Sequence, residues 1–158
     1  MSGVFLIVTD WNYEHSPVLR PTTGGYPHIT LFYSGKFLNS SELAPLASDA
    51  LEQVMEEKIN RCVLKAEDAK LNSFFHERSG KQRYDVLLHL SPADAANIDR
   101  LRNRVKQNLP VSLHEKLSMG PPHVTHSIHW TEAEALTSLE EVKKHLPQEV
   151  HITGVTID

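Results

Sequence analysis

The 158-residue chain has a single cysteine, no long hydrophobic run and no excess of positive charge. The one cysteine, Cys62, excludes an internal disulfide and a zinc site built from several cysteines. The first apolar run, 4–9, is too short to span a membrane, and no basic segment precedes it, so we expect a cytoplasmic protein without a signal peptide or membrane contact. The formal net charge of -4 disfavours binding to long nucleic acid, which needs a basic surface.

The remaining composition is typical of a folded globular protein. Hydrophobic residues make up 40% of the chain and charged residues 23%, and no segment has the composition of a disordered tail. The length suits one domain, 1–158, in which two small lobes share a core. We expect this domain to be monomeric.

Hydrophobic periodicity and turn residues predict alternating strands and helices. Strands are predicted at 4–9, 28–33, 61–75, 83–90, 122–130 and 149–157, and helices at 41–59, 91–109 and 132–145. Proline and glycine make 11–25 a predicted loop, and an irregular segment is expected before Pro122. Strand–helix–strand units occur in both halves, which predicts a pseudo-duplicated α+β domain.

Two predicted strands, one in each half, carry a His-x-Thr pair directly after a proline: His28 with Thr30, and His123 with Thr125. Side chains alternate across a strand, so the His and Thr of each pair point to the same face. The same tripeptide occurs at 129–131 and 151–153. We interpret Thr131 as the N-cap of the third helix and His151 as a half-buried structural histidine.

Two such pairs suit phosphodiester chemistry. A neutral imidazole can take a proton from water while a protonated imidazole donates one to a leaving oxygen, and a pKa near 6.5 allows both forms near neutral pH. The threonine hydroxyls would bind the non-bridging oxygens and stabilise the charge that develops on them. This scheme needs no metal and no cofactor.

The motif residues resemble those of the 2H phosphoesterase superfamily, which includes cyclic phosphodiesterases and RNA 2′,5′-ligase-like proteins. His28-Ile29-Thr30-Leu31 matches the family pattern fully, whereas His126 takes the usually hydrophobic fourth position of the second motif. The resemblance implies a bilobal fold in which antiparallel sheets line a central cleft and helices lie outside. It also implies that His28 and His123 are the acid–base pair and that Thr30 and Thr125 bind the phosphate.

Further residues are candidate substrate contacts. Aromatic side chains can stack on a nucleobase, and family members often place one on the hairpin, where Phe74 and Phe75 lie in this chain. Core packing explains these two phenylalanines equally well. By strand alternation, Ser127 and His129 are expected on the face of His123, and His126 on the other face. The substrate-binding candidates are Trp11, Tyr13, Arg20, Tyr26, Phe75, Ser127 and His129.

Other functions compete with this interpretation. His123, His126 and His129, alone or together with His28, could bind zinc. On a regular strand, however, His126 would face away from His123 and His129. The same cleft could belong to a non-catalytic module that binds nucleotides or RNA ends, or the histidines could be purely structural. If the protein is an enzyme, we expect its substrate to be a small nucleotide or an RNA end. The sequence leaves open which phosphodiester is the substrate.

Overall fold

The computed structural model describes residues 3–9, 18–20, 27–34, 38–115, 117 and 120–157, and at 5–9, 18–20 and 40 it describes the backbone. The fold is α+β. The strands are β1 (Gly3–Thr9), β2 (Val18–Arg20), β3 (His28–Tyr33), β4 (Leu64–His76), β5 (Lys81–Leu90), β6 (His123–His129) and β7 (Gln148–Ile157). The helices are α1 (Ser40–Glu56), α2 (Pro92–Gln107), α3 (Val111–His114) and α4 (Glu132–Lys143), and a 3₁₀ turn spans Ile59–Arg61.

Local sequence signals explain where the helices begin. Asn39 caps α1: its side chain accepts a hydrogen bond from the Glu42 backbone N–H at 3.0 Å, and the Glu42 carboxylate accepts one from the Asn39 backbone N–H. Thr131 caps α4 in the predicted way, because its hydroxyl accepts from the Glu134 N–H at 3.3 Å. These caps satisfy amide groups that have no partner within the helix.

Three segments differ from the expectation. β2 lies inside the predicted loop 11–25, where it pairs in parallel with β7. α1 ends before residue 59 because Lys58 takes a left-handed conformation, with φ of 59°, and the 3₁₀ turn follows. α3 forms within the segment expected to be irregular. β2, the 3₁₀ turn and α3 are each too short to produce a clear hydrophobic period.

The strands form one sheet in the order β1-β3-β6-β5-β4-β7-β2, and β1 also pairs with β7. Every described pairing except that of β2 is antiparallel. The pairings from β1 through β3, β6, β5, β4 and β7 back to β1 form a closed circuit. One face of the sheet therefore lies inside this circuit and the other outside it.

The hydrophobic core lies between the helices and the outer face of the sheet. Buried residues of α1 and α2, such as Leu46 and Leu101, belong to one cluster with Ile29 of β3, Val86 of β5 and Val124 of β6. Burial of this apolar surface orients the neighbouring residues of β3 and β6, because alternate side chains must point to the inner face. No helix in the described part of the chain is long and apolar enough to cross a membrane.

Candidate functional site

The two motif strands are neighbours in the sheet. β3 and β6 pair in antiparallel register with Ile29 opposite Val124, and both of these side chains are buried in the core. This register places Thr30 opposite His123 and His28 opposite Thr125. All four motif side chains therefore lie on the inner face of the sheet, next to one another.

The register also fixes the approximate size of the site. Directly opposite residues of an antiparallel pair have Cβ atoms about 5 Å apart, and diagonal neighbours lie about 7–8 Å apart. His28 and His123 occupy one diagonal of this square and Thr30 and Thr125 the other. All four residues are half-buried. Separations of this size suit a group as small as phosphate between the four side chains.

The backbone before β6 orients the His123 ring. Its Nδ1 lies 2.8 Å from the carbonyl oxygen of Pro121. A carbonyl only accepts hydrogen bonds, so Nδ1 carries the proton in this contact. In the neutral imidazole, Nε2 then holds the lone pair. Such an arrangement suits an imidazole that exchanges protons with a ligand.

A bulge in β3 brings Tyr33 to the site, although regular strand alternation would place this residue on the other face. Opposite β1, Thr30 pairs with Phe5 and Phe32 pairs with Val4, so Leu31 is the extra residue. The shift brings Tyr33 to the face of Thr30, whose Oγ1 donates a hydrogen bond to Tyr33 Oη at 3.3 Å. Regular alternation from Thr30 would place Tyr33 on the opposite face, so no sequence pattern indicates this contact.

A third imidazole lies beside His123. His89 of β5 is directly opposite His123, and their ring centroids are 5.7 Å apart with the planes tilted by 31°. Burial lowers the pKa of His89, the positive charges of His123 and Lys70 lower it further, and Asp68 opposes the shift. His89 therefore favours its neutral form. His89 was not among the residues predicted from the sequence, because no sequence pattern indicates that β5 and β6 are neighbours.

The predicted face of Ser127 and His129 is wrong. Thr125 lies opposite Leu87 and Ser127 opposite Val86, so His126 is an extra residue that forms a second bulge. Beyond it, the two faces are exchanged, so Ser127 and His129 lie on the helix side of the sheet. Ser127 Oγ lies 3.0 Å from Ser138 Oγ of α4, and His129 Nε2 lies 2.8 Å from Ser127 Oγ.

His126 lies on the helix side of the sheet, where it lines a cavity of about 440 Å³ with residues of α4 such as Ser138 and Glu141. Burial and the nearby His129 lower the pKa of His126. The proposed zinc ligands are thus divided between two faces, with His123 on the inner one. Over the described ranges, no three or more His, Cys, Asp or Glu residues are placed to hold a metal ion together.

The hairpin aromatic on the site face is Phe74. Phe74 lies opposite Arg83, which shares the inner face of β5 with His89. The Arg83 guanidinium carbon lies 4.5 Å from the centre of the Phe74 ring. Phe75 lies opposite Gln82 on the other face and is 59% exposed. The structure therefore does not bring Phe75 to His28 and His123.

The remaining substrate-binding candidates come from the N-terminal part of the chain. Trp11, Tyr13 and Tyr26 lie outside the described residues. Arg20 ends β2, and its backbone lies opposite Thr156 of β7. Their roles stay predictions from the sequence.

A buried arginine connects the two motif regions. Arg102 of α2 is only 4% exposed, and its Nη2 donates to the backbone carbonyl of Thr30 at 2.6 Å. Its Nη1 donates to the carbonyl of Gly120, which precedes the second motif, at 2.7 Å, and pairs with Asp99 at 3.0 Å. One side chain thus connects the first motif strand to the segment that leads into the second.

Comparison of the chain with protein-family models and with curated proteins gives no match.

Proposed function

We propose that this protein is a metal-independent phosphodiesterase that hydrolyses a nucleotide phosphodiester involving a 2′-oxygen. The observation that carries the proposal is the register of Ile29 opposite Val124, which gathers both His-x-Thr pairs on one face. The resemblance of these pairs to the motifs of 2H phosphoesterases supports the choice of substrate class. A bilobal, pseudo-duplicated fold of that superfamily is part of the same proposal.

The proposed reaction needs one neutral and one protonated histidine. The neutral imidazole takes a proton from water as the water oxygen forms a bond to phosphorus. The bond from phosphorus to the leaving ribose oxygen breaks, and the protonated imidazole donates its proton to that oxygen. The diagonal placement of His28 and His123 suits attack and departure on opposite sides of the phosphorus. In the reverse reaction the two histidines exchange roles.

The hydroxyl groups would hold the non-bridging oxygens. Thr30 and Thr125 occupy the second diagonal, where each can donate to a phosphate oxygen as negative charge increases. Tyr33 would support Thr30: a hydroxyl hydrogen can rotate, so when Thr30 donates to phosphate, the Tyr33 hydroxyl can donate to Thr30 Oγ1. Neutral His89 would sit beside His123 without adding a fixed charge.

The direct test is a panel of nucleoside 2′,3′-cyclic phosphates, 2′,5′-linked oligonucleotides and cyclic nucleotides, assayed in EDTA with identification of the product phosphate. We expect turnover of at least one substrate and a bell-shaped pH profile of kcat/KM. The His28→Ala and His123→Ala variants should each lose at least about 100-fold in turnover while retaining measurable ligand affinity. His126→Ala, on the other face, is the matched control and should stay active.

Two results would reject this function. Loss of wild-type turnover in EDTA with rescue by zinc would favour a metal hydrolase. Nucleotide binding by the wild type without turnover of any panel member would favour a non-catalytic binding module that uses the same four side chains.

A further inference from the structure

A fixed set of planar side chains lies on the inner face of the β4–β5 hairpin. Arg83 forms a two-point ion pair with the buried Asp85: Nε donates to Oδ1 at 2.8 Å and Nη2 donates to Oδ2 at 2.7 Å. Phe74 lies against the guanidinium at 4.5 Å. The Arg83 side chain is 24% exposed, so part of this held guanidinium remains accessible to solvent.

Two further rings continue this surface. His76 follows Phe74 on the same face of β4, because residues two apart on a strand share a face. The His76 ring meets Trp130, just after β6, edge to face with centroids 5.4 Å apart. Trp130 is 45% exposed, which is unusual for so large an aromatic side chain. We call Phe74, His76, Arg83 and Trp130 the hairpin platform.

The hairpin platform is separated along β5 from the proposed phosphate position between the two His-x-Thr pairs. Thr125 is opposite Leu87 of β5, and Arg83 lies four residues further along the same strand and on the same face. At a rise of about 3.3 Å per residue, this separation is about 13 Å. This separation along the strand is larger than the usual distance from phosphate to base within one nucleotide, and it suits the base of a neighbouring nucleotide in an oligonucleotide.

We propose that the hairpin platform stacks a nucleobase and thereby selects oligonucleotide ends over mononucleotides. The inference rests on the proposed function for its scissile phosphate. Because Asp85 neutralises Arg83, the pair offers little net charge to a second phosphate. The planar guanidinium instead presents a surface on which aromatic groups stack. The exposed indole of Trp130 adds a second surface of the same kind.

The test compares kcat/KM for a nucleoside 2′,3′-cyclic phosphate with that for an RNA trinucleotide ending in the same group. The wild type should prefer the trinucleotide by at least about fivefold, which is the lower limit expected for one stacked base. Trp130→Ala should lose this preference. Arg83→Lys, which keeps the charge but not the planar surface, should also lose it. Both variants should retain wild-type turnover of the mononucleotide.

Phe75→Ala is the matched control, because Phe75 is an exposed aromatic on the other face of the same hairpin. It should keep the trinucleotide preference. Equal kcat/KM for the two substrate lengths in the wild type would overturn the proposal. So would an equal loss of preference in Phe75→Ala, which would indicate a general effect on the hairpin.

A binding experiment separates this proposal from the catalytic one. Fluorescence anisotropy of a labelled RNA trinucleotide with a 3′-phosphate needs no turnover. If no substrate is hydrolysed, the proposed function fails. Weaker trinucleotide binding by Trp130→Ala and Arg83→Lys, but not by Phe75→Ala, would still support the platform. Unchanged binding in all three variants would overturn it.

Discussion

Arg102 on α2 donates a 2.6 Å hydrogen bond to the backbone carbonyl of Thr30, the phosphate-binding candidate of the first motif. The same guanidinium holds the carbonyl of Gly120, three residues before His123. A lysine in this place has one compact ammonium group and cannot span both carbonyls with the geometry of a planar guanidinium. The relative position of the two motifs therefore depends on a residue that does not face the site.

Arg102→Lys should accordingly reduce both stability and activity. We expect the free energy of unfolding to fall by about 2 kcal/mol, because a buried hydrogen bond from a charged group is lost. We expect kcat/KM to fall by up to about 100-fold, because small displacements of reacting groups are costly. Urea denaturation and steady-state kinetics measure the two effects. Arg100→Lys, exposed on the same helix, is the control, and an equal effect there would contradict the argument.

The bulge in β6 predicts which polar residues of this strand matter for activity. Thr125→Val keeps the shape of the side chain but removes a hydroxyl from the site face, so kcat should fall by about 100-fold. Ser127→Ala should leave kcat unchanged because Ser127 faces Ser138 of α4. Steady-state kinetics of the two variants checks this. A large loss of activity in Ser127→Ala would contradict the bulge and favour a regular strand with Ser127 on the site face.

His89 should make stability depend on pH. Burial and the neighbouring His123 lower its pKa in the folded protein below the ordinary value of about 6.5. Between these two pKa values the unfolded chain binds more protons than the folded protein does, so the free energy of unfolding rises with pH in this range. The protein therefore loses stability as the pH falls below about 6.5. His126 contributes in the same direction.

Urea denaturation at pH 5, 6, 7 and 8 tests this dependence. His89→Gln should flatten the rise in unfolding free energy between pH 5 and 7. His76→Gln, on the neighbouring strand near the end of the hairpin, is the matched substitution for comparison. A wild-type protein that becomes more stable on acidification through this range would contradict the assignment.

Much of the site follows from local sequence rules, and the remainder depends on pairing between strands. Alternation correctly assigns His28 and Thr30 to one face of β3, because no irregularity separates them. It fails at Tyr33 and Ser127, because the extra residues Leu31 and His126 each reverse the alternation. Neither bulge contains a glycine or proline that would mark it in the sequence.

Long-range contacts explain the other misses. The sequence predicts β5 and β6 as strands, but their adjacency, which brings His89 to His123, depends on the order of strands in the sheet. Arg102 is a charged residue on a predicted amphipathic helix, where solvent exposure is the usual expectation. Its burial depends on carbonyl groups from β3 and from the segment before β6. A helical pattern carries no information about such partners.

The central claim is that His28 and His123 act on the same phosphate in one chemical step. The most direct measurement is kcat/KM in EDTA for the wild type, His28→Ala, His123→Ala and the double variant, on the best substrate of the panel. If the two residues act together, each single substitution should cost at least about 100-fold, and the double variant should lose little more than either single one. A single variant that retains wild-type kcat/KM, or two modest losses that simply multiply in the double variant, would contradict the claim.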